Sequence, residues 1–90
     1  MYIVINIANL EGSDSMDLRQ DIKLGAPEEV RDFVSAAAKC AFDVDISYNR
    51  FIIDAKSLLG VLSMDLTKIL TVSCMGYDCQ FEQTLNKYAV

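Results

Sequence analysis

The order of apolar and polar positions along the chain predicts two strands at its beginning. Residues 1–8 are mostly apolar and rich in isoleucine and valine, which is typical of a strand. The polar Gly/Ser/Asp stretch over residues 9–15 is typical of a loop. A second strand is predicted over residues 16–24, where alternate positions on one face are apolar and Gln20 interrupts them.

Helical spacing begins at Pro27. Proline is tolerated at the first helical position, and Glu28 and Glu29 oppose the positive end of the helix dipole. The apolar residues that follow recur at three- and four-residue steps, which predicts an amphipathic helix of about four turns. They are Val30, Phe33, Val34, Ala37, Ala38 and Ala41.

The remaining segments predict a hairpin, a further strand and two helices. Residues 43–48 and 51–55 alternate as the strands of the hairpin, and residues 68–74 form the further strand. Ser57 and Asp78 are suitable N-caps for the two helices. The stripe predicted to be buried by the last helix is Tyr77, Phe81, Leu85 and Tyr88. This element order predicts an α+β fold, with an antiparallel sheet covered on one face by helices.

The amino-acid composition excludes several classes of protein and of partner. The 90 residues make one domain, and 52% of them are hydrophobic, which excludes an intrinsically disordered chain. Thirteen acidic and eight scattered basic residues give a net charge of −5. This balance argues against a nucleic-acid partner and against a polybasic membrane patch. We also expect no membrane span, because the longest apolar run is far shorter than the roughly 20 residues that a span requires.

The chain contains no histidine and three cysteines. Without imidazole there is no Ser–His or Cys–His nucleophile pair and no histidine ligand for a metal. An odd number of cysteines does not fit a closed disulfide framework, so a reducing cytoplasmic location is expected. We therefore expect a protein that is not an enzyme and has no cofactor or metal. The acidic residues Asp43, Asp45 and Asp54 leave a hard-cation site open, beside their interpretation as the solvated face of the hairpin.

The stretch over residues 56–63 reads Lys-Ser-Leu-Leu-Gly-Val-Leu-Ser. It resembles the middle motif of HPr, the small phosphocarrier family of the bacterial sugar phosphotransferase system. The likeness extends over about three quarters of the chain, including residues 33–39, 43–49 and 75–78. It implies an open-faced β-sandwich over residues 16–90, with a four-stranded antiparallel sheet covered on one face by three helices. Residues 1–15 would then be an N-terminal extension or an extra strand.

The chain departs from the family at the start of its first long helix. The family carries a Gly-x-His-Ala-Arg-Pro signature there, in which the histidine takes the phosphoryl group. In the register of the resemblance Ala26 replaces that histidine, and Glu28 and Glu29 replace the Arg and Pro. Two carboxylates in this turn would repel an incoming phosphate. The resemblance thus implies a divergent member of the family that has no phosphohistidine carrier activity.

Ser57 and the leucines behind it are the candidate functional residues. The family's matching serine is phosphorylated by an ATP-dependent HPr kinase in some bacteria, so the resemblance implies a regulatory site at Ser57. The alternative is that Ser57 is simply a helix cap. Leu58, Leu59 and Leu62 cannot all be buried by one short helix, so we expect part of them to form a site for a protein partner.

Two functions from different classes stay open. The first is an HPr-like regulatory or interaction module, with its contact surface on the helix of residues 57–62. The second is a phosphotransferase-system component that is phosphorylated on Ser57 and acts in carbon catabolite regulation. The apolar segment of residues 2–7 also suggests a homodimer formed by strand addition or exchange.

Overall fold

The computed structural model describes residues 4–6 and 17–90. In chain order the elements are strand β1 (Val4–Asn6), strand β2 (Asp17–Ile22), helix α1 (Pro27–Ala38), strand β3 (Val44–Tyr48), strand β4 (Phe51–Asp54), helix α2 (Leu58–Leu62), strand β5 (Leu70–Met75) and helix α3 (Cys79–Tyr88). The strands and helices predicted from residue 17 onward are all present. The loop predicted over residues 9–15 lies outside the described residues.

The strands form one antiparallel sheet in the order β1-β2-β5-β3-β4. Strand β5 lies between β2 and β3, so that Cys74 is opposite both Leu18 and Val44. The predicted four-stranded antiparallel sheet with three helices is thereby confirmed, as is the α+β class. Strand β1 adds a fifth strand at the outer edge of β2, where Ile5 is opposite Leu18.

The core lies between the helices and one face of the sheet. Alternate residues of β5 are buried, because side chains in a strand point to opposite faces. The residues of the sheet and helices that form this core are Leu18, Ile22, Val30, Phe33, Val34, Ala37, Val44, Ile46, Val61, Leu70, Val72, Cys74, Phe81 and Leu85. Thr71, Ser73 and Met75 alternate with them and belong to the other face, which we call the open face.

Helices α1 and α3 pack on each other through aromatic rings, with the ring centroids of Phe33 and Phe81 6.0 Å apart. Two details of the helix prediction are wrong. Helix α1 ends at Ala38, so Ala41 lies beyond it and is exposed. Tyr77 does not join the buried stripe, because α3 begins after the N-cap Asp78 and leaves Tyr77 outside the helix and exposed.

The break in the apolar pattern of β2 is a buried polar residue. Gln20 lies on the core face between Leu18 and Ile22. Its Nε2 donates a hydrogen bond to the carbonyl of Asp21 at 2.9 Å, whereas its Oε1 has no hydrogen-bond partner among the described residues. An unpaired buried polar atom costs about 1–3 kcal/mol, so the core carries a destabilising feature at this point.

The chain after α3 also binds the outer edge of β2. The Lys23 N–H donates to the Tyr88 carbonyl at 3.0 Å, and the Val90 N–H donates to the Asp21 carbonyl at 3.1 Å. An isolated bridge joins Ala89 to Ile22 between them. The outer edge of β2 is therefore covered by β1 over one part and by residues 89–90 over the next.

Candidate functional site

Helix α2 is a single short turn that Ser57 caps. The Ser57 Oγ accepts a hydrogen bond from the Gly60 N–H at 3.1 Å, and the Ser57 carbonyl accepts from the Val61 N–H at 3.0 Å. The predicted N-cap is therefore confirmed. The Lys56 Nζ donates to the Cys40 carbonyl at 3.0 Å and so ties the start of α2 to the chain that follows α1.

The leucines of α2 remain accessible. Val61 is the one residue of the helix that is buried, whereas the exposed fractions of Leu58, Leu59 and Leu62 are 38%, 82% and 44%. Five residues provide room for one inward-facing position, because the inward stripe of a helix recurs every three to four residues. We call Leu58, Leu59 and Leu62 the α2 surface.

A close backbone approach fixes the position of α2. A Cβ atom on Gly60 would lie 2.8 Å from the Cγ2 of Ile53, which is closer than real Cβ contacts come. Only glycine lets the helix lie directly on β4 at this position. The Ser63 Oγ closes the other end of the helix by donating to the Gly60 carbonyl at 2.6 Å.

An apolar groove of about 270 Å³ lies beside the C-terminal end of α2. It is lined by Tyr48, Phe51, Ile53, Ser63, Met64 and Asp65. Phe51 is 65% exposed, whereas Tyr48, Ile53 and Met64 are partly covered. The sequence did not reveal this groove, because its walls come from the hairpin and from the end of α2, which only tertiary packing brings together.

The start of α1 is occupied by its own carboxylate. The Glu29 Oε1 accepts hydrogen bonds from the Gly25 N–H at 2.5 Å and from the Ala26 N–H at 3.3 Å. Ala26, which replaces the family's histidine in the resemblance, is the N-cap residue and has no side chain that could make a hydrogen bond. Glu29, one of the two carboxylates that the sequence places in this turn, therefore satisfies its N–H groups internally.

The other candidate residues do not gather into a site. Asp45 is opposite Asp54 in the hairpin, and the Asp54 Oδ1 accepts from the Lys56 N–H at 2.9 Å. In the part of the chain that the structure describes, no group of three or more acidic, cysteine or histidine side chains is placed to hold a metal ion. Cys40 and Cys74 are buried and Cys79 is exposed. Burial raises the pKa of the Cys40 thiol.

A polar cluster that the sequence did not indicate lies between α1 and α3. The Asp32 Oδ2 accepts hydrogen bonds from the Lys87 Nζ and the Tyr88 hydroxyl, each at 2.6 Å. These two bonds hold the pKa of Asp32 below its ordinary value, and the bond from Lys87 has the larger effect. Burial, together with the bond to Asp32, raises the pKa of Tyr88 to about 12. The cluster joins residues that are far apart in the chain, and no local pattern indicates it.

Over residues 4–6 and 17–90, no helix combines the length and apolar character needed to cross a membrane. Comparison of the chain with models of protein families, with curated proteins and with solved structures finds no match. The inference of function therefore rests on the residues and their geometry.

Proposed function

We propose that this chain is an HPr-like regulatory or interaction module that binds a protein partner through the α2 surface. The observation that carries the proposal is the exposure of Leu59, 82%, on a helix with a single buried residue. Full burial of a leucine side chain contributes about 1.5–3 kcal/mol. A partner with an apolar pocket gains this energy without any change in the fold.

The relation to HPr is part of the proposal. Its support is the motif of residues 56–63, which forms α2 with Ser57 as the N-cap, and the antiparallel sheet beneath three helices. The module differs from the family in its chemistry, since the chain has no histidine and Glu29 occupies the turn where a phosphate would bind. We propose a role without phosphohistidine transfer, in the bacterial cytoplasm, where the three thiols would persist.

The proposal is tested by capturing partners on the immobilised protein and quantifying them by mass spectrometry. Leu59→Glu places a charge at the centre of the α2 surface, and Met75→Glu is a matched control because Met75 is an exposed apolar residue of the open face. We expect Leu59→Glu to lose a protein that the wild type and Met75→Glu both retain. Circular dichroism should show all three folded.

Two outcomes would reject the α2 surface as the binding site. One is equal recovery of every captured protein by Leu59→Glu and the wild type. The other is the absence of any protein enriched over the bare matrix. A protein lost from Met75→Glu but kept by Leu59→Glu would move the site to the open face of the sheet.

A second candidate function follows from the exposure of the Ser57 hydroxyl at the start of the α2 surface. As a phosphotransferase-system component, the chain would be phosphorylated there by an HPr-type kinase and act in carbon catabolite regulation. A phosphoryl group would add about two negative charges beside the leucines and so change which partners bind. The exposure of Ser57 favours this function, because a kinase must reach the oxygen.

Intact-mass spectra of the protein from its native host test the second candidate. We expect one added phosphoryl group in the wild type and none in Ser57→Ala. Ser63→Ala is the matched control, since Ser63 is the exposed serine at the other end of α2. An unmodified wild-type mass under all growth conditions would leave the unmodified interaction module as the function.

A further inference from the structure

Strand β4 forms one edge of the sheet, and β1 forms the other. Among the described residues β4 pairs with β3 alone, whereas the outer edge of β2 is covered. Two large apolar side chains of β4 are in solvent, with 65% of Phe51 and 69% of Ile52 exposed. An edge strand with exposed apolar residues is a template for pairing with another chain.

The hydrogen bonds of the hairpin show which backbone groups of β4 are available. The Ala55 N–H donates to the Val44 carbonyl at 2.8 Å, so this pair faces inward. Hydrogen-bonded and non-hydrogen-bonded pairs alternate along an antiparallel ladder. The backbone of Ile53 therefore faces β3, and the N–H and carbonyl groups of Ile52 face outward.

We propose that two copies of this chain form a dimer by antiparallel pairing of their β4 strands, with the two-fold axis at Ile52. Each Ile52 N–H then donates to the Ile52 carbonyl of the second copy, and the two Ile52 side chains meet on the open face. Phe51 of one copy lies opposite Ile53 of the other on the helix-covered face. The dimer has a continuous ten-stranded sheet made from two sheets of five strands.

Charge favours this register over those centred on Arg50 or Asp54. With the axis at Ile52, the turn residue Arg50 of each copy comes next to Asp54 of the other, which lies on the same face as Ile52. Both residues are exposed, and one oxygen of the Asp54 carboxylate accepts a hydrogen bond from the Lys56 N–H. An axis at Asp54 would place two carboxylates opposite each other, and an axis at Arg50 would place two guanidinium groups opposite each other. Of these three registers, only the one centred on Ile52 pairs unlike charges.

The size of the edge sets the strength of the dimer. A strand of four residues provides a smaller contact than the roughly 1,600 Å² of a standard stable interface. The association is therefore reversible and depends on protein concentration. It does not use the α2 surface, so the dimer and the proposed function can fail independently.

Sedimentation velocity of the full chain, from about 10 μM to about 1 mM, tests the dimer. We expect the wild type to shift from monomer to dimer over this range. Arg50→Asp and Asp54→Arg each place like charges opposite one another twice, so each should raise the dimer dissociation constant by about tenfold. A mixture of the two variants should recover a heterodimer, because both of its charge pairs are then unlike.

Ile52→Lys is a further variant that places two ammonium groups at the axis, and it should abolish the dimer. Circular dichroism controls for folding, since the Asp54 carboxylate also accepts from the Lys56 N–H. A wild type that stays monomeric at about 1 mM would overturn the proposal. The proposal would also be overturned if the protein self-associates and Ile52→Lys and both charge variants leave that self-association unchanged. Residues 2–7 would then be the next segment to test as the dimer contact. Failure of the mixture to associate would reject the register.

Discussion

Helices α1 and α2 are both rich in apolar residues but use them differently. Helix α1 has 12 residues and buries four of them, Val30, Phe33, Val34 and Ala37. Helix α2 has five residues and buries Val61 alone. The difference is one of length, because several turns are needed to extend a buried stripe along a sheet. Apolar residues of α1 therefore hold the fold together, whereas most of those of α2 remain exposed.

The N-termini of the two helices also differ in how accessible they are. In α1 the carboxylate of Glu29 folds back on the Gly25 and Ala26 amides, so the turn is occupied by the chain itself. In α2 the cap is the small hydroxyl of Ser57, which stays exposed. A turn that is closed internally contributes to stability, whereas an accessible one can be modified.

The largest effect is expected for a truncation in α1. Phe33 is fully buried and contacts the ring of Phe81, so Phe33→Ala should lower the free energy of unfolding by about 3–5 kcal/mol. Urea denaturation followed by circular dichroism measures this loss. A loss below about 1 kcal/mol would contradict the assignment of α1 to the core.

A smaller effect is expected where α2 meets β4. Gly60→Ala places a methyl group against the Cγ2 of Ile53 and should cost about 1–3 kcal/mol, in spite of the better helix propensity of alanine. Ile53→Ala removes that Cγ2 atom. In its background Gly60→Ala should cost less than in the wild type, although its Cβ would still lie 3.1 Å from the Ser57 Oγ, and a double-mutant cycle on unfolding free energies measures the coupling. Additive effects would contradict the close approach.

The polar cluster between α1 and α3 predicts a pH dependence. Tyr88→Phe should cost at most about 1 kcal/mol at neutral pH, since Asp32 and Tyr88 are partly in solvent. The pKa of Tyr88 is raised by folding, so its contribution is complete below pH 10 and disappears as the pH rises through about 12. The pKa of Asp32 is lowered by folding, so its contribution is lost as the pH falls below 3.8.

We therefore expect the difference in unfolding free energy between the wild type and Tyr88→Phe to be largest at neutral pH. It should become smaller towards both the acidic and the alkaline end of the range. A difference that stays constant up to strongly alkaline pH would show that the Tyr88 hydroxyl does not titrate as a bonded group. A difference that persists at strongly acidic pH would contradict the role of the Asp32 carboxylate.

The smallest effect is expected on the α2 surface. Leu59→Ala should change the free energy of unfolding by less than about 0.5 kcal/mol, because most of the side chain is already in solvent. Val61→Ala, two residues along the same helix, should cost about 2 kcal/mol because Val61 is fully buried. Equal losses for the two variants, in the same urea titration, would mean that α2 does not present one face to the core.

Most of the fold could be predicted from local patterns. The proline and paired carboxylates at residues 27–29 mark the start of α1, and Asp78 marks the start of α3, because these effects act within one turn. The turn of the hairpin, at residues 49–50, contains no glycine. Asn49 provides the left-handed conformation instead, with φ of 55°, which asparagine adopts more readily than most residues.

The candidate site could be predicted only in part. The exposure of α2 leucines follows from the shortness of the helix, which the sequence indicates. The groove beside it depends on how closely Gly60 approaches Ile53, a contact between two elements that no local pattern records. The same holds for Asp32 and Lys87, whose pairing depends on the packing of α1 against α3.

The central position of β5 has a consequence for synthesis of the chain. Of the described strands β5 is made last, yet β2 and β3 both pair with it. Asp17, for example, can pair with Met75 only after nearly the whole chain has been made. The β3–β4 hairpin can close by itself within about 1–10 μs, but the pairing of β5 with β2 and β3 requires closure of long loops. Before β5 is made, the core-facing residues of β2 and α1 lack the neighbours that β5 provides in the folded protein. A chain that stops before residue 70 cannot assemble this sheet.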